Sequence, residues 1–413
     1  MSTAKPADFE PYSAAFAADP YPVYSRLREH TPVFYSAQLG MTLFTRYDDI
    51  RSLLLDGRLG RTLDHVKHPE EIARQRVSAE WQRLPSYSRY VRVNLLETEG
   101  TEHARVRRLV SAALTPRRVR DLRGRIQALV DEMLLTLLPQ GRMNFLADLA
   151  EPLPVYMISD LLGWPLEERH RLRPWSAQIV RLYEKDHSAE DEAQAEAATT
   201  EFAAMLGELA DRRRNDPRDD LISGMVAAVD EGERLTRDEL IATCMLLLNA
   251  GHEATVNAAG NGLLALLHHP EQAARLRAAP AAEPAILTSA VEEILRFDAP
   301  LQLFHRYVLE DLSFAGVELR KGDTVGLLYG CANRDPQVFE RADEFDVGRN
   351  PNRHLSFGTG THFCLGAPLA RLEIEILLGT VLRKLSELRL DGAEPEFRTG
   401  LVFRALKALS VCW

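Results

Sequence analysis

Cysteine is scarce: four residues in 413, at 244, 331, 364 and 412, widely scattered and never in a CxxC pair. That pattern excludes a disulfide framework and a clustered-thiolate zinc site, and it fits a reducing compartment. Long apolar runs are missing too. No uninterrupted span approaches bilayer length, and the opening MSTAKPADFEPYS lacks the apolar core of a signal peptide, so a cytoplasmic protein with no membrane contact is expected. Basic excess is also absent: the net charge of −10 argues against a general nucleic-acid binder. Nor is there a Gly/Ser/Pro linker, a repeat or a low-complexity stretch to divide the chain.

What is present is enough apolar residue to bury a large core, 46% against 27% charged, in the balance of a soluble enzyme. Helical periodicity dominates from about Pro20. Strand-like pieces interrupt it near 33–35, 41–46, 303–308 and 401–411, which predicts a mainly α protein with minor β. The longest helix is predicted from Thr236 to about His268, opened by the capping box Thr236-x-x-Glu239 and closed by Pro270. At 1.5 Å per residue it spans roughly 50 Å.

The segment FGTGTHFCLG, 357–366, sets Cys364 between a glycine-rich loop and a helix start. Gly358 and Gly360 permit a tight turn and close backbone approach to a bulky flat group. Pro368 suits a first helical turn, and Leu369, Leu372, Ile376 and Leu377 keep helical spacing after it. A thiol at a helix N-terminus is biased towards the thiolate, a strong donor to a soft metal. Zinc would need further Cys or His ligands at short spacing, and only His362 is near. A single thiolate without partners suggests haem iron.

The pattern F-G-x-G-x-H-x-C-x-G, continuing as APLARLE to Glu373, resembles the haem-binding signature of the cytochrome P-450 family, and upstream landmarks in the expected order extend the likeness over nearly the whole chain. The resemblance implies one haem-enclosing domain over 1–413, triangular, with a long central distal helix. It places the β-richer part at about 20–65 and 300–325 plus a C-terminal hairpin, and the helical part at about 100–298 and 365–385. It implies haem b, with Cys364 as axial ligand and Phe357, Gly358 and Gly366 shaping the loop.

Three landmarks carry further implied roles. The distal-helix sequence Ala250-Gly251-His252-Glu253-Ala254-Thr255 has small residues that would admit a flat cofactor and dioxygen. The family usually places a hydroxyl residue where this chain has Ala254. Thr255 cannot simply replace it, because a helix turns about 100° per residue. Three accounts are open: a substrate hydroxyl holds the relay water, Asn249 or Glu253 organises water unaided, or the reaction does not need the full relay. Next, Glu293-x-x-Arg296 puts both side chains on one helix face, an ordinary surface pair by itself; the resemblance joins it to Arg349 as a buried structural network. Finally, His103 and Arg107 share a helical face at i,i+4, ordinary when solvated. With Arg306 and His362 the resemblance makes them clamps for the haem propionates.

The implied reaction is insertion of one oxygen atom from O2 into a C–H bond of a medium-sized, mostly apolar small molecule. Substrate contacts are expected from 66–93, Met245, Asn249 and Ala250, from Leu301, Gln302, Leu303 and Phe304, and from Val402 in the hairpin. The chain has no flavin or nicotinamide fingerprint, so electrons from NAD(P)H are expected through a separate ferredoxin and its reductase. Arginines 105, 107, 108, 117, 118, 120, 123 and 125 crowd one segment. They read as solvated helix faces or as steering for that acidic donor. A monomer is expected. A peroxide-driven peroxygenase, another haem-thiolate enzyme without hydroxylation, and a non-catalytic haem sensor are the rival readings.

Overall fold

The computed structural model describes residues 9–184, 186–230, 235–278, 285–385 and 387–413; positions 185, 231–234 and 279–284 of the expected helical part lie outside them. The protein is mainly α with small sheets. Two compact units are present, one formed by 1–59, 119–153 and 254–413, the other by 60–118 and 154–253.

A five-stranded sheet is made from β1 (Val33–Ser36), β2 (Met41–Phe44), β3 (Leu59–Gly60), β4 (Leu303–Val308) and β5 (Thr324–Leu328), in the order β1-β2-β5-β4-β3. β1 and β2 form an antiparallel hairpin, β2 runs parallel to β5, and β5 runs antiparallel to β4. β-branched and aromatic residues at Val33, Phe34, Phe44, Phe304 and Val325 suit these pleats. Gly326 faces Leu43 across the parallel pair. A Cβ there would collide with Leu43 and Met41, so glycine is what lets this sheet close up.

β2 stops at Phe44 rather than at Arg46, because Thr45 N–H turns to the Pro32 carbonyl and Arg46 caps the helix Tyr47–Leu55. The expected C-terminal strand over 401–411 is likewise reduced to two isolated bridges and a short strand, Ser410–Cys412. Its backbone partners are divided between Pro300–Gln302 and Glu396–Arg398, too dispersed for one ladder. Arg404 is drawn to the carbonyls of Ala17 and Ala18 instead.

The second unit is a helical assembly whose core holds Trp164, Trp175 and Phe202, with Trp175 stacked on Phe202 at 5.2 Å. It includes α1 (Gly100–Ala113). The long helix α2 (Arg237–His268) passes from this unit into the first after Glu253. Its start is fixed by the capping box: Thr236 Oγ1 accepts the Glu239 N–H at 3.1 Å and Glu239 Oε2 accepts the Thr236 N–H at 2.7 Å. Two further helices of the first unit matter below, α3 (Ala285–Phe297) and α4 (Ala367–Lys384). Among the described residues, no helix is long and apolar enough to cross a membrane.

Candidate haem-thiolate site

The cysteine loop is built by its glycines. Gly358 and Gly360 adopt φ of +65° and +75°, left-handed conformations that disfavour side chains. A Cβ on Gly360 would also stand 2.9 Å from the Leu54 carbonyl oxygen. The turn is closed by Gly358 N–H to the Leu355 carbonyl at 2.8 Å and Cys364 N–H to the Phe357 carbonyl at 2.9 Å. Gly366 caps α4 and Pro368 lies in its first turn, so Cys364 precedes the helix by a short turn rather than lying inside it. Cys364 is partly exposed beside Phe363, which is 40% exposed. Cys244 and Cys331 are buried instead; burial pushes both thiols up, Cys331 to about 12, and neither is poised for chemistry.

Arg306 lies on β4, buried, with Nη1 donating to the His305 carbonyl at 3.0 Å and its guanidinium 5.0 Å from the Phe304 ring. Phe304 in turn packs 6.1 Å from Tyr329, whose hydroxyl borders Gly358. The first unit therefore connects Arg306 to the cysteine loop through two rings. His362 ends the short turn Gly360–His362 and is partly exposed.

In the second unit, His103 is buried and Arg107 half-buried on α1. Arg105 between them is turned to an ion pair with Glu239. Of the arginine-rich segment, Arg123 is also committed, to Glu375 at 2.7 Å, while 108, 117, 118, 120 and 125 are exposed.

Along α2, Leu240 to Met245 and Val256 to Leu264 are buried, yet Ala250 is exposed and Gly251, Glu253 and Ala254 are half-buried. Ala250 and Ala254 are one turn apart, so a smooth patch of small residues opens on an otherwise enclosed helix. Asn249 is buried, hydrogen-bonds to Tyr183, and leaves Oδ1 without a partner among the described residues. His252, buried next to Glu253, places Nδ1 3.5 Å from Glu253 Oε1. Thr255 is 7% exposed and Met245 fully buried, both turned into packing.

Leu301, Gln302, Leu303, Phe304 and Val402 lie together in the first unit: Leu301 bridges Phe403, and Gln302 N–H donates to the Val402 carbonyl at 2.9 Å. Leu303 is buried against Phe34 and Leu328, while Leu301 and Phe304 are only partly covered. The Gln302 Nε2 donates to the Ala299 carbonyl at 2.7 Å and the side chain lies against Gly330, where a Cβ would strike it, while Oε1 has no hydrogen-bond partner among the described residues.

Beneath the loop, Arg296 and Glu293 form a bidentate pair at 2.7 and 2.9 Å with neither side chain exposed, and Arg349 Nε reaches both Glu293 oxygens at 3.1 and 3.2 Å. Sequence reasoning missed the adjacent set of Glu292, His354 and Arg371. It also gave no role to Glu373 on α4, whose carboxyl burial pushes up to about 8 and whose Oε1 has no hydrogen-bond partner among the described residues. Folded Glu373 thus keeps a proton that the unfolded chain releases at the ordinary carboxylate pKa. Its contribution is fully present below about pH 4.5 and is lost as pH rises through about 8. Glu373→Gln is expected to flatten the fall in unfolding temperature across that window, read by a thermal pH series; a slope identical to the parent would refute it.

The residues fit a haem. In the first unit, Cys364, partly exposed beside Phe363, presents a surface that a flat apolar group would cover. Among the described residues no group of three His, Cys, Asp or Glu could hold a metal ion.

Residues 171–411 match the family model described as Cytochrome P450. The chain is 35% identical, over 98% of its own length and 98% of the relative's, to the polyketide biosynthesis cytochrome P450 PksS of Bacillus subtilis. It is 37% identical to the cytochrome P450 monooxygenase PikC of Streptomyces venezuelae over 96% of this chain and 92% of that one. Among solved structures, epothilone D-bound cytochrome P450epoK superposes with a TM-score of 0.89 at 32% identity, covering 98% of both chains. P450BioI in complex with an acyl-ligated acyl carrier protein gives 0.87 at 35%, covering 97% of this chain and all of that one.

Proposed function

Because the chain belongs to the cytochrome P450 family, a family of haem oxidoreductases whose named relatives include monooxygenases, we propose that it inserts one oxygen atom from O2 into a C–H bond of a medium-sized, mostly apolar molecule bearing a hydroxyl or carbonyl. The observation that carries this reading is the Cys364 loop: a partly exposed cysteine that follows two left-handed glycines and precedes the helix α4. Cys364 holds the iron as thiolate. Bound haem supplies the activation of dioxygen, favoured by electron density from a thiolate ligand.

The remaining roles belong to side chains. Arg306 and His362, and on α1 His103 and Arg107, bind the propionates, the guanidinium forks pairing with carboxylates. Ala250, Gly251 and Ala254 keep α2 clear for the flat group. Leu301, Phe304 and Val402 offer apolar contact that orients a substrate and excludes water. Glu253 collects a proton at its carboxylate, beside His252. With Ala254 carrying no hydroxyl and Thr255 packed away, a hydroxyl of the substrate holds, by a hydrogen bond, the water through which that proton passes. The exposed arginines of the 105–125 segment favour an acidic ferredoxin, with NAD(P)H and a reductase behind it. One working domain and a cytoplasmic monomer complete the reading.

A ligand library titrated against the ferric protein identifies the substrate by a low- to high-spin shift of haem absorption. Product formation is then compared with ferredoxin, reductase and NADH against hydrogen peroxide alone. Turnover only with the redox partners is expected; turnover only with peroxide makes the chain a peroxygenase, and no turnover with either leaves a sensor. A substrate analogue lacking the hydroxyl is expected to lose coupling of NADH consumption to product. Ala254→Thr is expected to bring the analogue's coupling back towards that of the hydroxyl-bearing substrate; equal coupling with and without the substrate hydroxyl would exclude this route.

A further inference from the structure

Glu292 and Glu293 are consecutive on α3, so their side chains leave the helix about 100° apart and meet different neighbours. Glu293 serves Arg296, Arg349, Asn352 and the Asp346 N–H. Glu292 shares none of these. It accepts Arg371 Nε at 2.6 Å, Arg371 Nη2 at 2.8 Å and His354 Nε2 at 3.1 Å. His354 Nδ1 accepts the Ser356 N–H at 3.2 Å, which places the imidazole proton on Nε2, facing the carboxylate.

His354 precedes Cys364 in the chain and Arg371 follows it on α4, so one carboxylate fastens both ends of the cysteine loop. Phe357 is the link inwards. The Arg371 guanidinium lies 4.4 Å from its ring centroid, the His354 ring lies 5.8 Å away, and the Phe357 carbonyl receives the Cys364 N–H at 2.9 Å. Burial works against an ionised Glu292, but the hydrogen bonds from Arg371 and His354 outweigh it and hold the carboxyl at about 2.

The structure assigns Glu292, with His354 and Arg371, the role of positioning residues for Cys364: they lock Phe357, and Phe357 fixes where the thiol stands. This rests on the reading of Cys364 as the iron ligand. Arrangements behind a ligand commonly govern how firmly a metal group is kept. Lysine at 371 would keep the charge but lose both the two-pronged contact and the guanidinium placed 4.4 Å from the Phe357 ring centroid.

Two readouts apart from activity test the assignment on the haem-loaded protein. One is the rate of haem transfer to excess apomyoglobin well below the unfolding temperature. The other is the fraction of the ferrous carbon monoxide complex that shows the thiolate band. Arg371→Lys and Glu292→Gln are each expected to speed haem loss about tenfold and to raise the fraction without the thiolate band. Lys384→Ala, at the far end of α4, which breaks an ion pair with Asp131 of the helix Arg123–Leu137, is expected to change neither. A lowered unfolding temperature with parental haem loss and a parental thiolate fraction would overturn the assignment and leave a scaffold role. Should Glu292→Gln fail to accumulate as folded protein, Arg371→Lys decides alone. Cys364→Ser runs alongside: a retained thiolate band there would sink the ligand reading itself, a failure distinct from native behaviour of the other two variants.

Discussion

Glu293→Ala is expected to lower folding stability by about 3–5 kcal/mol, the loss typical of removing one partner from a buried ion pair. Glu293 and Arg296 are fully buried, and Arg349 is 10% exposed. Without the carboxylate, Arg296 keeps only carbonyl acceptors from Asn333, Ala342 and Glu344, and Arg349 those of Glu340, Arg341 and Glu344. Two guanidinium charges would then share a site with no counter-charge from Glu293. The Asp346 N–H and the Asn352 amide lose their acceptor as well. Urea unfolding of the parent and the variant measures the difference. A loss below about 1 kcal/mol would mean that the network behaves as a surface bridge.

The sequence was legible where chemistry is local. The Cys364 loop announces itself because two glycines, a histidine, a cysteine and a helix start fall in one short segment, and each has a separate physical reason to be there. The start of α2 was readable for the same cause, since Thr236 and Glu239 satisfy each other's backbone groups within one turn. Long-range pairing was not readable. Nothing in Met41–Phe44 says that it lies parallel to Thr324–Leu328, and the C-terminal segment reads as a strand although its partners are scattered. The Glu292 set escaped because its three members come from α3, the loop and α4, and only Glu293 stood at a familiar spacing. Gln302 looked like a polar anchor by composition; its Nε2 donates to Ala299, while its buried Oε1 has no hydrogen-bond partner among the described residues. Arg105 and Arg123 looked solvated or donor-facing, and each has a carboxylate partner distant in sequence.

Cys364→Ser is expected to abolish NADH-dependent product formation. A serine hydroxyl is hardly ionised near neutral pH and gives iron far less electron density than a thiolate, so dioxygen cleavage loses its principal electronic support. The backbone should tolerate the change, because the Cys364 N–H to Phe357 carbonyl contact and the left-handed turns at Gly358 and Gly360 do not involve the sulfur. Haem content therefore has to be matched between the two proteins before they are compared. The most direct measurement is the carbon monoxide difference spectrum of the reduced parent and the reduced Cys364→Ser protein at equal haem. A thiolate band in the parent that vanishes in the variant is the predicted result, and a variant that keeps that band unshifted would contradict Cys364 as the iron ligand.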